Sequence, residues 1–255
     1  MKQAILVASF GTTHPDTLQL SIAGLEQSLA DRFPGAKIVR AFTSGVVRSR
    51  LERLHGIRVP SVEEALEELC REQFDEVILQ PSLLIPGEEF DRLCRSAQPF
   101  AGRVQLRIGR PLLCEEADLD RMTGLLREAF APGADTVLLM MGHGTAHAAN
   151  DLYVRLAEKM KEVRECTMRL CTVEGTPTFA DAVEELRQLP QRSVIAAPMM
   201  LVAGDHAKND MAGDGPDSLR SLLEAEGLRV DCRLQGLGQL EQIRQLYADR
   251  IREIL

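Results

Sequence analysis

The chain repeats itself. Short aliphatic runs at residues 4–9, 36–42, 76–80 and 103–108 alternate with amphipathic stretches at 15–32 and 61–72. The same order returns as runs at 136–141, 167–173, 193–197 and 228–234, with amphipathic stretches at 149–163 and 178–189. Strand-length apolar runs separated by segments of helical period predict parallel strands joined by right-handed crossovers. Two copies of that unit predict an α/β fold of two similar lobes, each a parallel four-stranded sheet flanked by helices. Long helices at 115–130 and 239–254 are expected to close the copies, giving an N-terminal lobe over 1–130 and a C-terminal lobe over 131–255. Hydrophobic residues make up 45% of the 255, but aromatic ones only 4%, so the core must be aliphatic, as where helices cover Val, Ile and Leu on parallel strands.

The copies also align locally where strands end. Phe10-Gly11-Thr12 matches His143-Gly144-Thr145, and His14 matches His147. Ser44-Gly45 matches Glu174-Gly175 after the second strand, and Pro81 matches Pro198 after the third. Carried forward, that register sets Gly87-Glu88-Glu89 against Gly204-Asp205-His206. In open parallel sheets, ligands bind beyond the carboxyl ends of the strands, and these matched positions are expected there. One copy presents Phe10, Ser44 and Glu89; the other presents His143, Glu174 and His206. If the copies face each other across a cleft, a metal-ligand set opposes an apolar residue and a carboxylate.

A lone loop histidine is more often structural than functional, so the combination carries the chemistry. His143 stands between glycines in Met-Gly-His-Gly-Thr, where a substrate can approach the backbone closely. Glu174 precedes a glycine after the next strand, and His206 lies in Gly-Asp-His-Ala-Lys-Asn-Asp after the third. Two imidazoles and a carboxylate suit a borderline divalent ion such as Co²⁺, Fe²⁺, Ni²⁺ or Zn²⁺, and three protein ligands leave coordination positions open.

Plainer readings fit the remaining polar groups. His14 and His147 are expected as caps at helix starts, and His55 at an exposed loop or helix end. Glu88 and Glu89 can act as first-turn carboxylates of a helix beginning near Phe90, which balances a functional reading for Glu89. The acidic run Glu63-Glu64-Ala65-Leu66-Glu67-Glu68 reads as a solvated helix face. Gly11-Thr12-Thr13 could hold an anion at a strand-to-helix turn, but it lacks phosphate-loop spacing, and no nucleotide cofactor is expected. The six cysteines show no CxxC pair and read as small buried hydrophobes.

A formal charge of −8 argues against nucleic-acid and anionic-membrane surfaces. The apolar run 4–10 is too short for an export signal and leads into Gly11-Thr12-Thr13-His14-Pro15, so it reads as the first strand. No stretch approaches the roughly 20 apolar residues of a membrane span. The expected setting is cytoplasmic, and self-association into a homo-oligomer stays open.

With His-Gly-Thr, Glu-Gly-Thr-Pro and Gly-Asp-His-Ala-Lys-Asn-Asp-Met-Ala-Gly-Asp in place, the sequence resembles the anaerobic sirohydrochlorin cobaltochelatases of the type II chelatase superfamily. The likeness runs nearly end to end, through Ser-Phe-Gly-Thr-Thr, Ala-Phe-Thr-Ser, Gln-Pro-Ser and Pro-Gly-Glu-Glu-Phe-Asp. It implies a two-lobed fold with a tetrapyrrole cleft and an ATP-independent lyase. This enzyme would insert Co²⁺ into sirohydrochlorin or its precorrin-2 form for cobalamin, with the metal on His143, Glu174 and His206. Side activity with Fe²⁺ is compatible with that resemblance.

Insertion requires Co²⁺ to shed water and two pyrrole protons to leave. His143 is the favoured base, with Glu89 as helper. Phe10, Thr12, Thr13, Ser44 and Glu88 are expected to line the tetrapyrrole, with Arg48, Arg50 or Lys208 pairing its carboxylates. The rival readings are a sirohydrochlorin ferrochelatase for sirohaem, a carrier that binds metal or tetrapyrrole without turnover, and a duplicated scaffold with incidental histidines.

Overall fold

The computed structural model describes residues 2–255. The chain forms two compact units, Met1–Cys114 together with Glu241–Leu255, and Glu115–Leu240. Each contains a four-stranded sheet. The first holds β1 (Gln3–Ser9), β2 (Ala36–Phe42), β3 (Glu76–Pro81) and β4 (Gln105–Ile108), in the order β2-β1-β3-β4. The second holds β5 (Thr136–Gly142), β6 (Thr167–Thr172), β7 (Ser193–Met199) and β8 (Arg229–Cys232), in the order β6-β5-β7-β8. All pairings are parallel, so the two copies share one topology.

The runs read as strands are strands, and β4 and β8, each at one edge of its sheet, are shorter than expected. The central strands are buried on both faces. In the first unit Leu6 and Leu79 pack with Leu66, Leu69 and Leu93. In the second, Leu139 and Met141 pack with Leu186, Leu219 and Leu223. Removing such side chains from water supplies the main driving force for each unit.

Helix starts carry matching signals in both copies. Ser61 and Glu64 form a capping box on Val62–Arg71, and Thr178 and Asp181 form one on Phe179–Gln188. The helix expected over 15–32 is present but contains a wider π-helical stretch, Leu18–Ala23. The segment after β2 is a helix, Gly45–His55, that the apolar pattern did not reveal. Ser44 caps it and Gly56 closes it in the left-handed region at φ 66°, so His55 is its last residue.

The two closing helices belong to the opposite units from those expected, so the unit boundary falls after Cys114 rather than at 130 and the C-terminus returns to the first unit. Glu116–Phe130 packs on Asp151–Glu162 of the second unit, where Lys159 bridges Glu116 at 2.7 Å and Asp120 at 2.6 Å. Glu241–Arg252 packs on Gly24–Arg32 and β3, burying Ile243, Leu246, Tyr247 and Ile251. Arg250 Nη2 donates to Leu112 O at 2.8 Å, and Arg110 pairs with Glu253 at 2.9 Å. Periodicity shows that a helix has an apolar face; it does not name the sheet that face will cover. Among the described residues no helix is long and apolar enough to cross a membrane.

Candidate metal centre

His143 follows β5 directly, Glu174 stands two residues beyond β6, and His206 opens a π-helical turn, His206–Met211, after β7. Because β5 lies between β6 and β7 with Gly142 in register with both Thr172 and Met199, three neighbouring loops leave the sheet at one level. One ligand atom from each of His143, Glu174 and His206 lies within 4.8 Å of the other two. Donor atoms sharing one ion at bonds of about 2.0–2.2 Å in a tetrahedral site stand roughly 3.3–3.6 Å apart, so closing on a metal draws the three side chains together by about an ångström.

Hydrogen bonds decide which nitrogens keep a lone pair. His143 Nδ1 lies 2.9 Å from Gly144 O, and His206 Nδ1 lies 2.6 Å from Asp210 Oδ2. A carbonyl and a carboxylate can only accept, so each Nδ1 donates and each Nε2 keeps its lone pair for a metal. The two rings meet edge to face with centroids 4.7 Å apart, and Glu174 Oε2 is 3.9 Å from His143 Nδ1. The side chains of His143, Glu174 and His206 are 45%, 60% and 37% exposed, leaving an ion open to exchange.

Two glycines hold the first two loops together. Gly144 has φ +78°, and a Cβ there would lie 2.4 Å from Gly175 N; one on Gly175 would lie 2.2 Å from Asn150 Oδ1. Backbone therefore meets backbone, and Glu174 N–H donates to His143 O at 2.8 Å. Asn150 braces the contact by accepting from Thr145 N–H at 3.2 Å and donating to Thr176 O at 3.0 Å. Beneath β5, buried Tyr153 fills the space a side chain at Gly142 would need, with its hydroxyl bonded to the His143 backbone and its pKa pushed up by burial.

The first unit repeats this frame without the imidazoles. Thr43 N–H donates to Ser9 O at 2.8 Å where Val173 N–H donates to Gly142 O at 3.1 Å, and Ser44 N–H donates to Phe10 O as Glu174 N–H does to His143 O. Thr12 Oγ1 accepts from His14 N–H at 3.2 Å just as Thr145 Oγ1 accepts from His147 N–H at 3.1 Å. Phe10 and Ser44 thus occupy the backbone positions of His143 and Glu174. Phe10 is 49% exposed at the strand end.

Several residues expected at a substrate have local tasks. Ser44 Oγ accepts from Val47 N–H as a helix cap, while buried Thr12 shares a 2.9 Å hydrogen bond with Thr17, and Thr13 is buried as well. Glu89 accepts from Thr43 Oγ1 at 2.9 Å and from Arg92 at 3.0 Å, and Glu88 pairs with Arg92 at 2.6 Å. Arg48 pairs with Glu64 at 3.1 Å, and Arg50 lines an open groove of about 360 Å³ with Val46, Ser49 and Arg53. Lys208 lies in the π-helical turn behind His206. His147 Nδ1 accepts from Ala149 N–H at 3.1 Å, the capping role expected of it. Sequence reasoning missed Asp210, Tyr153 and the Thr43 and Arg92 partners of Glu89. Of these, two carry a readable signal: the four-residue spacing of His206 and Asp210, once a helical turn is assumed there, and the three-residue spacing of Glu89 and Arg92 at an expected helix start.

A family model described as cobalt chelatase (CbiK) matches residues 3–255. The sirohydrochlorin cobaltochelatase of Salmonella typhimurium is 34% identical over 259 residues, covering 100% of this chain and 97% of its own. Sirohydrochlorin cobaltochelatase CbiKC of Nitratidesulfovibrio vulgaris is 32% identical over 258 residues, covering 98% of this chain and 89% of its own. Among solved structures, SirB from Bacillus subtilis with Fe³⁺ has a TM-score of 0.68 at 16% identity, covering 99% of this chain and 95% of that one. The sirohydrochlorin chelatase SirB from Bacillus subtilis subspecies spizizenii, in complex with cobalt, has a TM-score of 0.64 at 14% identity with the same coverage. At these identities the two structures share the fold.

Proposed function

Because the chain belongs to the cobalt chelatase (CbiK) family, we propose that it inserts Co²⁺ into sirohydrochlorin, or into its precorrin-2 form, releasing two protons in anaerobic cobalamin formation. The observation that carries the site assignment is the meeting of His143, Glu174 and His206 within 4.8 Å at the carboxyl ends of three adjacent strands. Their three donors replace part of the water around Co²⁺ and leave the rest of the ion free for pyrrole nitrogens. Partial exposure of all three favours delivery over storage.

Each insertion must also remove two N–H protons. His143 is the base in this reading: once its Nε2 leaves the ion, a lone pair is available at the point where the metal was held. Glu89 acts as the relay, its carboxylate held in place by Thr43 and Arg92. Phe10 offers an exposed apolar face to a macrocycle, and Arg50 is a partner for its peripheral carboxylates. A cytoplasmic setting without nucleic-acid or membrane partners belongs to the same reading.

Two imidazoles and a carboxylate also suit Fe²⁺, so a sirohydrochlorin ferrochelatase is the second reading. Anaerobic absorbance spectroscopy of sirohydrochlorin with Co²⁺ tests substrate, reaction and site together. Wild type should convert the spectrum with turnover, while His206→Ala should lose at least a hundredfold in rate with its circular dichroism intact. Equal rates for the two proteins would remove the proposed site. Binding without turnover would make the protein a carrier, and preference for Fe²⁺ in competition would select the second reading.

A further inference from the structure

We infer that Asp210 is the positioning residue of the metal site: it fixes the ring of His206 and makes that histidine the anchoring ligand, while His143 is the ligand that lets go. The inference rests on the assignment of His143, Glu174 and His206 as metal ligands. Its basis is the different partner each imidazole has behind it. His143 Nδ1 meets the neutral carbonyl of the next residue, Gly144, at 2.9 Å, whereas His206 Nδ1 meets the carboxylate of Asp210 at 2.6 Å. A charge-assisted hydrogen bond is shorter and roughly twice as strong as a neutral one. A carboxylate behind a ligating imidazole holds the ring's orientation and tautomer and strengthens donation from the far nitrogen.

The local backbone is built for this pair. Both residues lie in the π-helical turn His206–Met211, where Ala212 N–H reaches back five residues to Ala207 O at 3.1 Å. Four residues on is about one helical turn, so Asp210 shares a face with His206 and its carboxylate reaches the ring nitrogen. Gly213 seals the end of the turn, since a Cβ there would lie 2.2 Å from Asn209 O. No corresponding carboxylate can follow His143, whose Nδ1 is already committed to main chain that substitution cannot remove. An ion held more firmly by one histidine than the other has a defined order of release, which transfer to a macrocycle needs and storage does not.

The test is Co²⁺ binding by the full chain without tetrapyrrole, measured by competition with a chromophoric chelator and by the visible absorption of the bound ion. Asp210→Ala should weaken Co²⁺ about tenfold, the lower end of the range for such partners, because the pair is about 40% exposed to screening water. Asp210→Asn, which can still accept from Nδ1, should recover part of that loss; a merely structural role would not follow this order. An Asp210→Ala variant with wild-type affinity would overturn the inference while His206→Ala still lost binding. If His206→Ala also bound normally, the ligand assignment itself would fall, and the inference with it. Should Asp210→Ala not fold, ¹⁵N-detected ring correlations on the wild-type chain decide the matter. The Nδ1–H tautomer of His206 is expected, and the Nε2–H tautomer would overturn it.

Discussion

Placing a methyl group on Gly144 should open the proposed metal site, because this residue is where the loops bearing His143 and Glu174 touch. Its φ of +78° costs an alanine about 1 kcal/mol relative to glycine. The added Cβ would stand 2.4 Å from Gly175 N and 2.8 Å from both Gly175 Cα and Thr172 Cβ, where relaxed carbon contacts are about 3.5–4.0 Å. Two of those atoms are main chain that cannot rotate away, so the loops must part by about an ångström, at a further cost of about 1–3 kcal/mol. Glu174 moves with its loop, and bonds of about 2.0–2.2 Å do not stretch that far.

Gly144→Ala should therefore lose about 2–4 kcal/mol in urea unfolding and bind Co²⁺ at least tenfold more weakly in chelator competition. Gly11→Ala is the matched control. Its φ is +105°, but the nearest atoms are side chains, Phe42 at 2.5 Å and Val47 at 2.9 Å, and it lies in the unit without the three ligands. It should cost stability and leave Co²⁺ affinity unchanged. Normal Co²⁺ binding by Gly144→Ala, or an equal loss in Gly11→Ala, would refute the reasoning.

Glu253 gives a pH-dependent test of how the C-terminal helix is held. Arg110 foremost, with Arg250, outweighs burial and keeps its carboxyl below the usual range. A depressed folded pKa gives stability that is present above the unfolded value and lost as pH falls through the folded one. Glu253→Gln should thus cost under about 1 kcal/mol at pH 7, after allowance for water screening a carboxylate that is 39% exposed. The difference in thermal melting should shrink as pH falls through the depressed folded pKa; a gap as large in acid as at neutrality would exclude this cause. Replacing Glu89 with Gln should lower the insertion rate and change its pH profile, and a variant unchanged in both would remove Glu89 from the proton path. Leu139, fully buried on β5, one of two interior strands of its sheet, should cost about 3 kcal/mol when cut to alanine, read by urea denaturation.

The strands and the meeting of His143, Glu174 and His206 at one sheet end are legible in the sequence because both obey local rules. A strand buried on both faces must be a continuous apolar run, and a residue just past its carboxyl end is placed by chain direction alone. The helix Gly45–His55 was hidden because Leu51 is its one buried side chain, so most of its length carries no apolar stripe. Tertiary choices were less legible still. The faces of Glu116–Phe130 and Glu241–Arg252 look alike in sequence, and their places depend on distant partners such as Lys159 and Leu112. Asp210 is hidden for a related reason: four residues from His206 means contact in a helical turn and nothing in a loop, and no apolar stripe marks a helix there.

The return of Glu241–Leu255 to the first unit has a consequence for how the protein is made. The second unit is one unbroken stretch of chain, Glu115–Leu240, set into a first unit that begins before it and ends after it. A ribosome therefore delivers everything the second unit needs while the first still lacks its last helix. The half that starts emerging first is completed last, and until Leu255 has emerged, the surface meant for Ile243, Tyr247 and Ile251 stands uncovered. A stop codon shortly after Leu240 would spare the half that carries His143, Glu174 and His206 and leave the other unfinished.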